Sequence, residues 1–368
     1  MDPVTIISTD EGLVFIDTGN PEFASRTLAV ARTWNDGPIH TVIFTHGHTD
    51  HSSGITAIDA EADAKGVPRP RIVAHRNVQR RFDRYEASRG LLSIVQGQQF
   101  SRPDFIWPVG QRRPDEIYDD TLSLSVGSEQ LELFHGRGET DDATFIWLPR
   151  HRVLATGDFV IWAFPNAGNP RKVQRYAAEW AVALRRMDSL NPEVLIPGHG
   201  PIVFGAERAA QMLRDGAGVL EYLVRETLAL LNSKGASLDE VLHAVRAPSA
   251  YLAKPYLRAE YDDPEFVVHS IYHFYTGWFD GDPAHLKPAR RADLAQELAQ
   301  MAGGEERLVR RAAELAEEGQ MRLALHLAEF AGAAAPDNKD IQAARAAILQ
   351  KCIDHEESLM GKAFLKVY

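Results

Sequence analysis

Cysteine is nearly missing from this chain. Its 368 residues contain one, Cys352, so no internal disulfide can form and redox chemistry does not fix the compartment. Long apolar runs are missing too: no stretch of 18 or more apolar residues could span a membrane as a helix. Met1 leads almost directly into Val4-Thr5-Ile6-Ile7, with no basic region followed by an apolar run, which predicts no secretory signal. Positive charge is in short supply: 40 Lys and Arg against 51 Asp and Glu give a net charge of -11, a poor basis for nucleic-acid binding. The simplest expectation is a soluble cytoplasmic protein without a nucleic-acid or membrane partner. What is present is globular in composition, with 45% apolar and 25% charged residues, and is long enough for two or three domains.

The densest chemistry lies in Thr45 to Gly54, Thr-His-Gly-His-Thr-Asp-His-Ser-Ser-Gly. It follows Thr41-Val42-Ile43-Phe44, which reads as a buried parallel strand, and the carboxyl ends of such strands open into ligand-binding crevices. In extended backbone His46 and His48 share a side and can share one ion. Asp50 and His51, on the turn into the next helix, aim at a second position. Four ligand-type side chains at one strand end have no evident packing use. Imidazole with carboxylate, and no cysteine nearby, suits zinc, iron or manganese.

Around this stretch the pattern alternates strands and helices. Val4 to Ser8 and Leu13 to Asp17 read as strands, 21–34 as a helix, and the 41–44 strand completes a βαβ unit. A helix is expected over Ile55 to Ala64, a strand over Arg71 to Ala74, and loops with short helices roofing the site over 80–113. Strands are expected at Leu131 to His135, Phe145 to Leu148, Val153 to Asp158 and Val194 to Pro197. Beyond Val203 helix formers dominate: 207–232 is long and amphipathic, and Ser237 to Glu240 fits a capping box. An aromatic-rich helix from Pro264 stops at Gly277, exposing an apolar surface that wants a partner. Residues 312–318 pair with 321–331 around Gly319, and a further helix covers 339–351. These resemble tetratricopeptide-type hairpins, though fewer than three repeats are legible. Residues 354–368 read as an extended tail. His269, His273 and His285 lie off the sheet, where interhelical or core roles suit them better than a second metal site.

Thr45 to Gly54 resembles the metal-binding signature of the metallo-β-lactamase superfamily. That likeness implies an α/β fold, an αββα sandwich over 1–215, followed here by an all-α region over 216–350 and the tail over 351–368. It implies that Asp17, in Asp17-Thr18-Gly19, props the metal loop, a carboxylate accepting a ligand histidine's second N–H. The turn after Leu131 to His135 carries Glu139 where most relatives have a histidine ligand. Glutamate can coordinate as well, and metallo-β-lactamase-type alkylsulfatases use one at this turn. Asp158 falls where the superfamily places a bridging acid, although such alkylsulfatases more often have glutamate there. Pro197-Gly198-His199-Gly200 resembles the final histidine motif.

The implied centre holds two divalent cations, Zn2+ first, with Mn2+ or Fe as alternatives. His46, His48 and Glu139 surround one, Asp50, His51 and His199 the other, and Asp158 bridges. With a bridging hydroxide, three carboxylates make the cluster formally neutral, one charge lower than with a histidine in place of Glu139. Another cation is therefore expected to help hold an anionic substrate. The segment 163–175 offers Asn166, Arg171, Lys172 and Arg175. Arg175 leads, because with Trp180 it resembles an arginine and tryptophan pairing in alkylsulfatases, and Arg can grip a tetrahedral anion bidentately.

Gly277-Trp278-Phe279-Asp280-Gly281-Asp282-Pro283-Ala284-His285-Leu286 resembles a signature of the alkylsulfatase dimerisation domain and implies a homodimer. Alkylsulfatases resembling this chain usually continue into a sterol-carrier-like domain. Its absence from this sequence shifts the expected substrate toward a smaller or more polar molecule. The function implied is hydrolysis of a small-molecule sulfate ester by a metal-activated water, with Asp50 and Asp158 in the catalytic centre and His75 or His135 as weak candidates for the acid. Two alternatives stand: a metallo-hydrolase of a lactone, thioester or β-lactam, and a non-enzymatic dimeric scaffold with a closed structural metal site.

Overall fold

The computed structural model describes residues 4–366. The chain begins with an antiparallel pair, β1 (Thr5–Thr9) and β2 (Gly12–Ile16), then α1 (Ala24–Trp34) and β3 (Ile39–Ile43). The metal-type motif follows, partly as the short helix α2 (Thr49–Ser52), and leads into α3 (Ile55–Lys65) and β4 (Arg71–His75). Next come α4 (Asn77–Ala87), α5 (Arg89–Gln99) and β5 (Glu116–Tyr118). A second run of strands comprises β6 (Thr121–Val126), β7 (Glu129–His135), β8 (Thr144–Leu148) and β9 (Val153–Gly157). After α6 (Ala177–Ser189), β10 (Val194–Pro197) and β11 (Val203–Phe204) complete the strands.

The strands form two sheets, in orders β1-β2-β3-β4-β5 and β11-β10-β9-β8-β7-β6. Alternation along each strand explains the layering, because successive side chains point to opposite faces. In β2, Leu13 and Phe15 join Leu28, Ile58 and Phe82 under α1, α3 and α4, whereas Val14 and Ile16 meet Leu131, Leu133 and Ile146 of the other sheet. In β8, Ile146 and Leu148 face that middle layer while Phe145 and Trp147 turn to Trp180, Leu184 and Leu220. The result is the expected αββα sandwich. Both sheets are covered, and β3 pairs in parallel with β2 and β4, so β3 is buried from Thr41 to Ile43.

The remaining chain is helical: α7 (Ala206–Lys234), α8 (Leu238–Ala244), α9 (Ser249–Leu252), α10 (Pro264–Thr276), α11 (Pro283–Leu286), α12 (Arg291–Ala302), α13 (Glu305–Glu317), α14 (Met321–Ala334), α15 (Lys339–His355) and α16 (Leu359–Leu365). Ser237 and Glu240 form the reciprocal capping box at the start of α8. The division expected at 215/216 falls inside α7, and α7 and α10 share one core with the second sheet. Helices α12 to α15 build a separate core from small residues, including Ala312, Ala324 and Ala328. Among the described residues no helix is long and apolar enough to cross a membrane.

One expectation is overturned. Residues 354–366 are not an extended tail: α15 continues to His355, and α16 docks with Met360 fully buried. Ser358 caps α16 by accepting from the Gly361 N–H at 3.0 Å. The Leu359 and Met360 N–H groups donate to the Glu260 and Tyr261 carbonyls at 2.9 and 3.1 Å. Tertiary partners hold this segment, which is why its local sequence pattern does not announce it.

Candidate metal centre

The ends of β3, β9 and β10 and the β7–β8 turn converge at one point. The Thr144 N–H donates to the Thr45 carbonyl at 2.7 Å, tying the two sheets together there. On the first sheet, Asp17 sits with φ of 61°, a strained conformation for a residue other than glycine. Its carboxylate organises the loop. Oδ1 accepts from the Thr45 N–H at 2.7 Å, and Oδ2 accepts from the Thr45 hydroxyl at 2.7 Å and meets His51 Nδ1 at 2.8 Å. This is the propping role expected of Asp17, and it leaves His51 Nε2 to face inward.

Two residues that the sequence reading missed hold the other side of the loop. Asp142 is fully buried and accepts from the Gly47 N–H at 3.0 Å and from Arg81 Nε at 2.7 Å. A β-carbon on Gly47 would come within 2.9 Å of the Arg81 side chain, so only glycine fits between His46 and His48. Burial pushes the Asp142 carboxyl up, but Arg81 outweighs it and holds the group well below the usual carboxylate range. The signal was faint: Asp142 looked like one more acid in an acidic turn, and Arg81 lies 61 residues away.

The donors form two groups, His46, His48, Glu139 and Asp158, and Asp50, His51 and His199. Within each group, one ligand atom per residue lies within 4.8 Å of all the others. All seven predicted ligands are therefore brought together. Asp158 stands between the groups. Its Oδ2 lies 3.6 Å from His46 Nε2, and its Oδ1 lies 3.2 Å from His51 Nε2 and 3.4 Å from His199 Nε2. Gly198 permits that approach, since a β-carbon there would lie 2.1 Å from Asp158 Oδ1.

The donor set fits divalent cations. His46 Nε2 and His48 Nδ1 point at each other across 2.8 Å, and His51 Nε2 and His199 Nε2 across 3.3 Å. Glu139 Oε2 and Asp158 Oδ1 are buried without a hydrogen-bond partner. Orphaned buried acceptors are costly, and a cation satisfies them. Burial, and then the neighbouring His51, push His46 down to about 4, so its ring is neutral and ready to ligate. Burial also raises Glu139, to about 7, against the opposing pull of Arg175.

The centre opens into a cavity of about 750 Å³. Its polar wall includes Asn166, Asn169, Lys172, Arg175 and Tyr261; its apolar wall comes from Phe100, Phe105, Ile106 and Trp107. Tyr261 carried no functional signal in the sequence, whereas 100–107 lies in the stretch expected to roof the site. Arg175, the leading anion-binding candidate, reaches the cavity, but its Nη1 donates to Glu139, at 2.6 Å to Oε1 and 2.7 Å to the main-chain carbonyl. Asn166 Nδ2 also donates to Glu139 Oε1. Arg171 donates to Gln98 and lies over the Phe364 ring. Lys172 Nζ approaches Gln96 Oε1 at 3.2 Å and the Trp107 ring centroid at 5.9 Å. His75 and His135 do not line the cavity; they stack on each other with centroids 3.7 Å apart. His269 and His273 stack along α10, and His285 pairs with Asp280, so none of the three joins a metal-type cluster.

An αββα sandwich with this donor set at its strand ends defines a class, and the sequence comparison agrees. The metallo-β-lactamase superfamily model matches residues 3–199, and the chain belongs to that superfamily. The alkyl sulfatase dimerisation family matches residues 237–367. A linear primary-alkylsulfatase of a Pseudomonas strain is 28% identical over 348 residues, covering 89% of this chain and 65% of that protein. An (R)-specific secondary-alkylsulfatase of Pseudomonas is 27% identical over 391 residues, covering 95% of this chain and 57% of that one. The solved structure of a stereoselective inverting sec-alkylsulfatase from Pseudomonas superposes with a TM-score of 0.84 at 25% identity, covering 99% of this chain and 62% of the other. The chain thus spans less than two thirds of the length of these relatives.

Proposed function

We propose that this protein is a dinuclear metal-dependent hydrolase that cleaves a sulfate ester and works as a homodimer through its helical region. The observation that carries the reading is Asp158, half-buried between two donor groups with one carboxylate oxygen turned toward each. A carboxylate placed there would serve both cation positions, and the alkylsulfatase relatives supply the ester class.

His46, His48, Glu139 and Asp158 would hold one divalent cation, and Asp50, His51, His199 and Asp158 the other. Zn2+ suits these donors best, with Mn2+ or Fe as alternatives. Bound there, the cations would polarise the ester and lower the pKa of a water. The chain's own residues do the rest. Asp17 sets the His51 tautomer, Arg81 and Asp142 fix the peptide between His46 and His48, and the cavity wall orients the substrate. Among the described residues Lys172 has no carboxylate partner within ion-pair distance, so its ammonium is the cation we assign to the substrate's sulfate, assisted by Asn166; Arg171, on Gln98 and over Phe364, does not line the cavity.

The test is metal content together with sulfate release from short and long alkyl sulfates, with Glu139→Ala as control. Two cations per chain and sulfate release are expected in wild type, and the variant should lose the first cation and the sulfate release. Two cations without sulfate release would move the assignment to a lactone, thioester or β-lactam. Fewer than one cation per chain after reconstitution with zinc or manganese would overturn the centre itself.

A further inference from the structure

We infer that Arg175 is a positioning residue for the metal centre: with Asn166 it fixes Glu139 so that one carboxylate oxygen alone faces the first cation position, and the Glu139–Arg175 pair replaces a neutral donor.

The inference rests on the metal-centre reading above, and its geometry is local. Arg175 Nη1 holds Glu139 at two points, the carboxylate Oε1 at 2.6 Å and the main-chain carbonyl at 2.7 Å. Asn166 Nδ2 donates to the same Oε1. The next residue, Tyr176, donates its N–H to the Gly138 carbonyl at 3.0 Å, so the chain at 175–176 is stitched to the turn at 138–139. With Oε1 occupied and the backbone pinned, Oε2 is the oxygen left over. It is buried, accepts no hydrogen bond and lies 3.6 Å from His48 Nδ1.

A glutamate needs this help. Its side chain has one more rotatable bond than histidine, and either oxygen could turn inward, so an unsupported glutamate would sample many poor ligand geometries. Charge gives the second reason. A glutamate in place of a neutral imidazole lowers the charge of the cluster by one, and the buried guanidinium beside it puts that charge back. Arg175 and Glu139 are both nearly inaccessible to solvent, so screening is weak. Glu139 takes Nη1, while Arg175 Nε is buried without a hydrogen-bond partner.

The test uses the full chain, stripped of metal by a chelator and titrated with Zn2+ against a chromophoric competitor, for wild type, Arg175→Met, Arg175→Lys and Glu139→His/Arg175→Met. Arg175→Met should weaken one of the two wild-type sites about 10–100-fold and leave the other unchanged. Arg175→Lys should recover part of the loss, and so should the double variant, in which a neutral imidazole needs no counter-charge. At saturating Zn2+, sulfate-ester hydrolysis by Arg175→Met should fall in kcat more than it rises in KM. Asn166→Ala should weaken the same site by less, and it serves alone if Arg175→Met fails to fold. Wild-type Zn2+ affinity in the single variants, with only KM raised, would overturn the inference and return Arg175 to the substrate. Absence of Zn2+ binding in wild type would remove the metal centre and the inference with it.

Discussion

Asp17 Oδ2 meets His51 Nδ1 at 2.8 Å, and the same oxygen already accepts the Thr45 hydroxyl. Two donors on one carboxylate oxygen fix the imidazole tautomer, leaving Nε2 as the lone pair that faces the second donor group. Asp17→Asn tolerates the left-handed backbone, because asparagine adopts it readily. Its amide nitrogen, however, only donates: at the Oδ2 position it accepts from neither the Thr45 hydroxyl nor His51, and flipped it faces the Thr45 N–H. Either way a donor loses its partner, and the His51 tautomer is no longer enforced. Zn2+ affinity at the second site should drop about 10–100-fold while the fold persists, as read by chelator competition and circular dichroism.

Arg81 and Asp142 carry a stability prediction. The folded-state pKa of Asp142 is depressed, so the pair's contribution is present above the unfolded carboxyl range, near 4, and is lost as pH falls below it. Arg81→Met leaves a buried carboxylate unpaired and should cost about 3–5 kcal/mol at neutral pH. Urea melts at pH 7 and pH 3 check both: the penalty of the variant should shrink at the lower pH.

Lys172 makes substrate binding pH-dependent. Burial, followed by repulsion from Arg175, lowers its ammonium to about 8. The group is charged below that pH and neutral above it, and bound cations would lower it further. KM for an anionic sulfate ester should therefore rise as pH increases through about 8. Lys172→Arg should flatten this rise, and Lys172→Met should raise KM about 10-fold at pH 7, the loss of one charge-assisted hydrogen bond. A KM that does not change with Lys172→Met would remove the residue from substrate binding.

Met360 ties α16 to the cavity. Gln99 Nε2 and Asn169 Nδ2, both on the cavity wall, approach its sulfur at 3.3 and 3.1 Å. Met360→Leu keeps the volume and should cost under about 1.5 kcal/mol. The two amides lose their shared acceptor, so KM should rise more than the melting temperature falls. Met360→Ala should cost about 2–5 kcal/mol.

The proposed dimer has its own test. Phe274, Tyr275 and Trp278 are exposed at the end of α10 and just beyond it, with Trp278 68% accessible. Trp278→Asp should shift the protein from dimer to monomer in light scattering, with metal content unchanged.

The strands were legible because their periodicity is local, and the sandwich was implied by the resemblance of Thr45 to Gly54 to the metallo-β-lactamase signature. Thr41 to Phe44, Leu131 to His135 and Val194 to Pro197 announced themselves by apolar runs or alternation, and the seven donor residues by dense spacing or by the motif each occupies. Asp142, Arg81 and Tyr261 were not legible, since each matters through a partner far away in sequence. Arg175 was read, through its resemblance with Trp180 to an alkylsulfatase pairing, as the leading anion-binding residue, and the fold places Glu139 against it. The helix α16 was read as an extended tail because its stability lies in contacts with Tyr261, Gln99 and Asn169 rather than in its own seven residues.

The sequence by itself determined which side chains are available to hold cations, and in which order along the chain, because ligand chemistry belongs to residue type and a strand end positions its neighbours through bonds of fixed geometry. Only the tertiary structure decided which charges are spent on other charges. Ion pairing depends on through-space distance and burial, and neither is fixed until the end of β9 and the 163–175 segment close around Glu139.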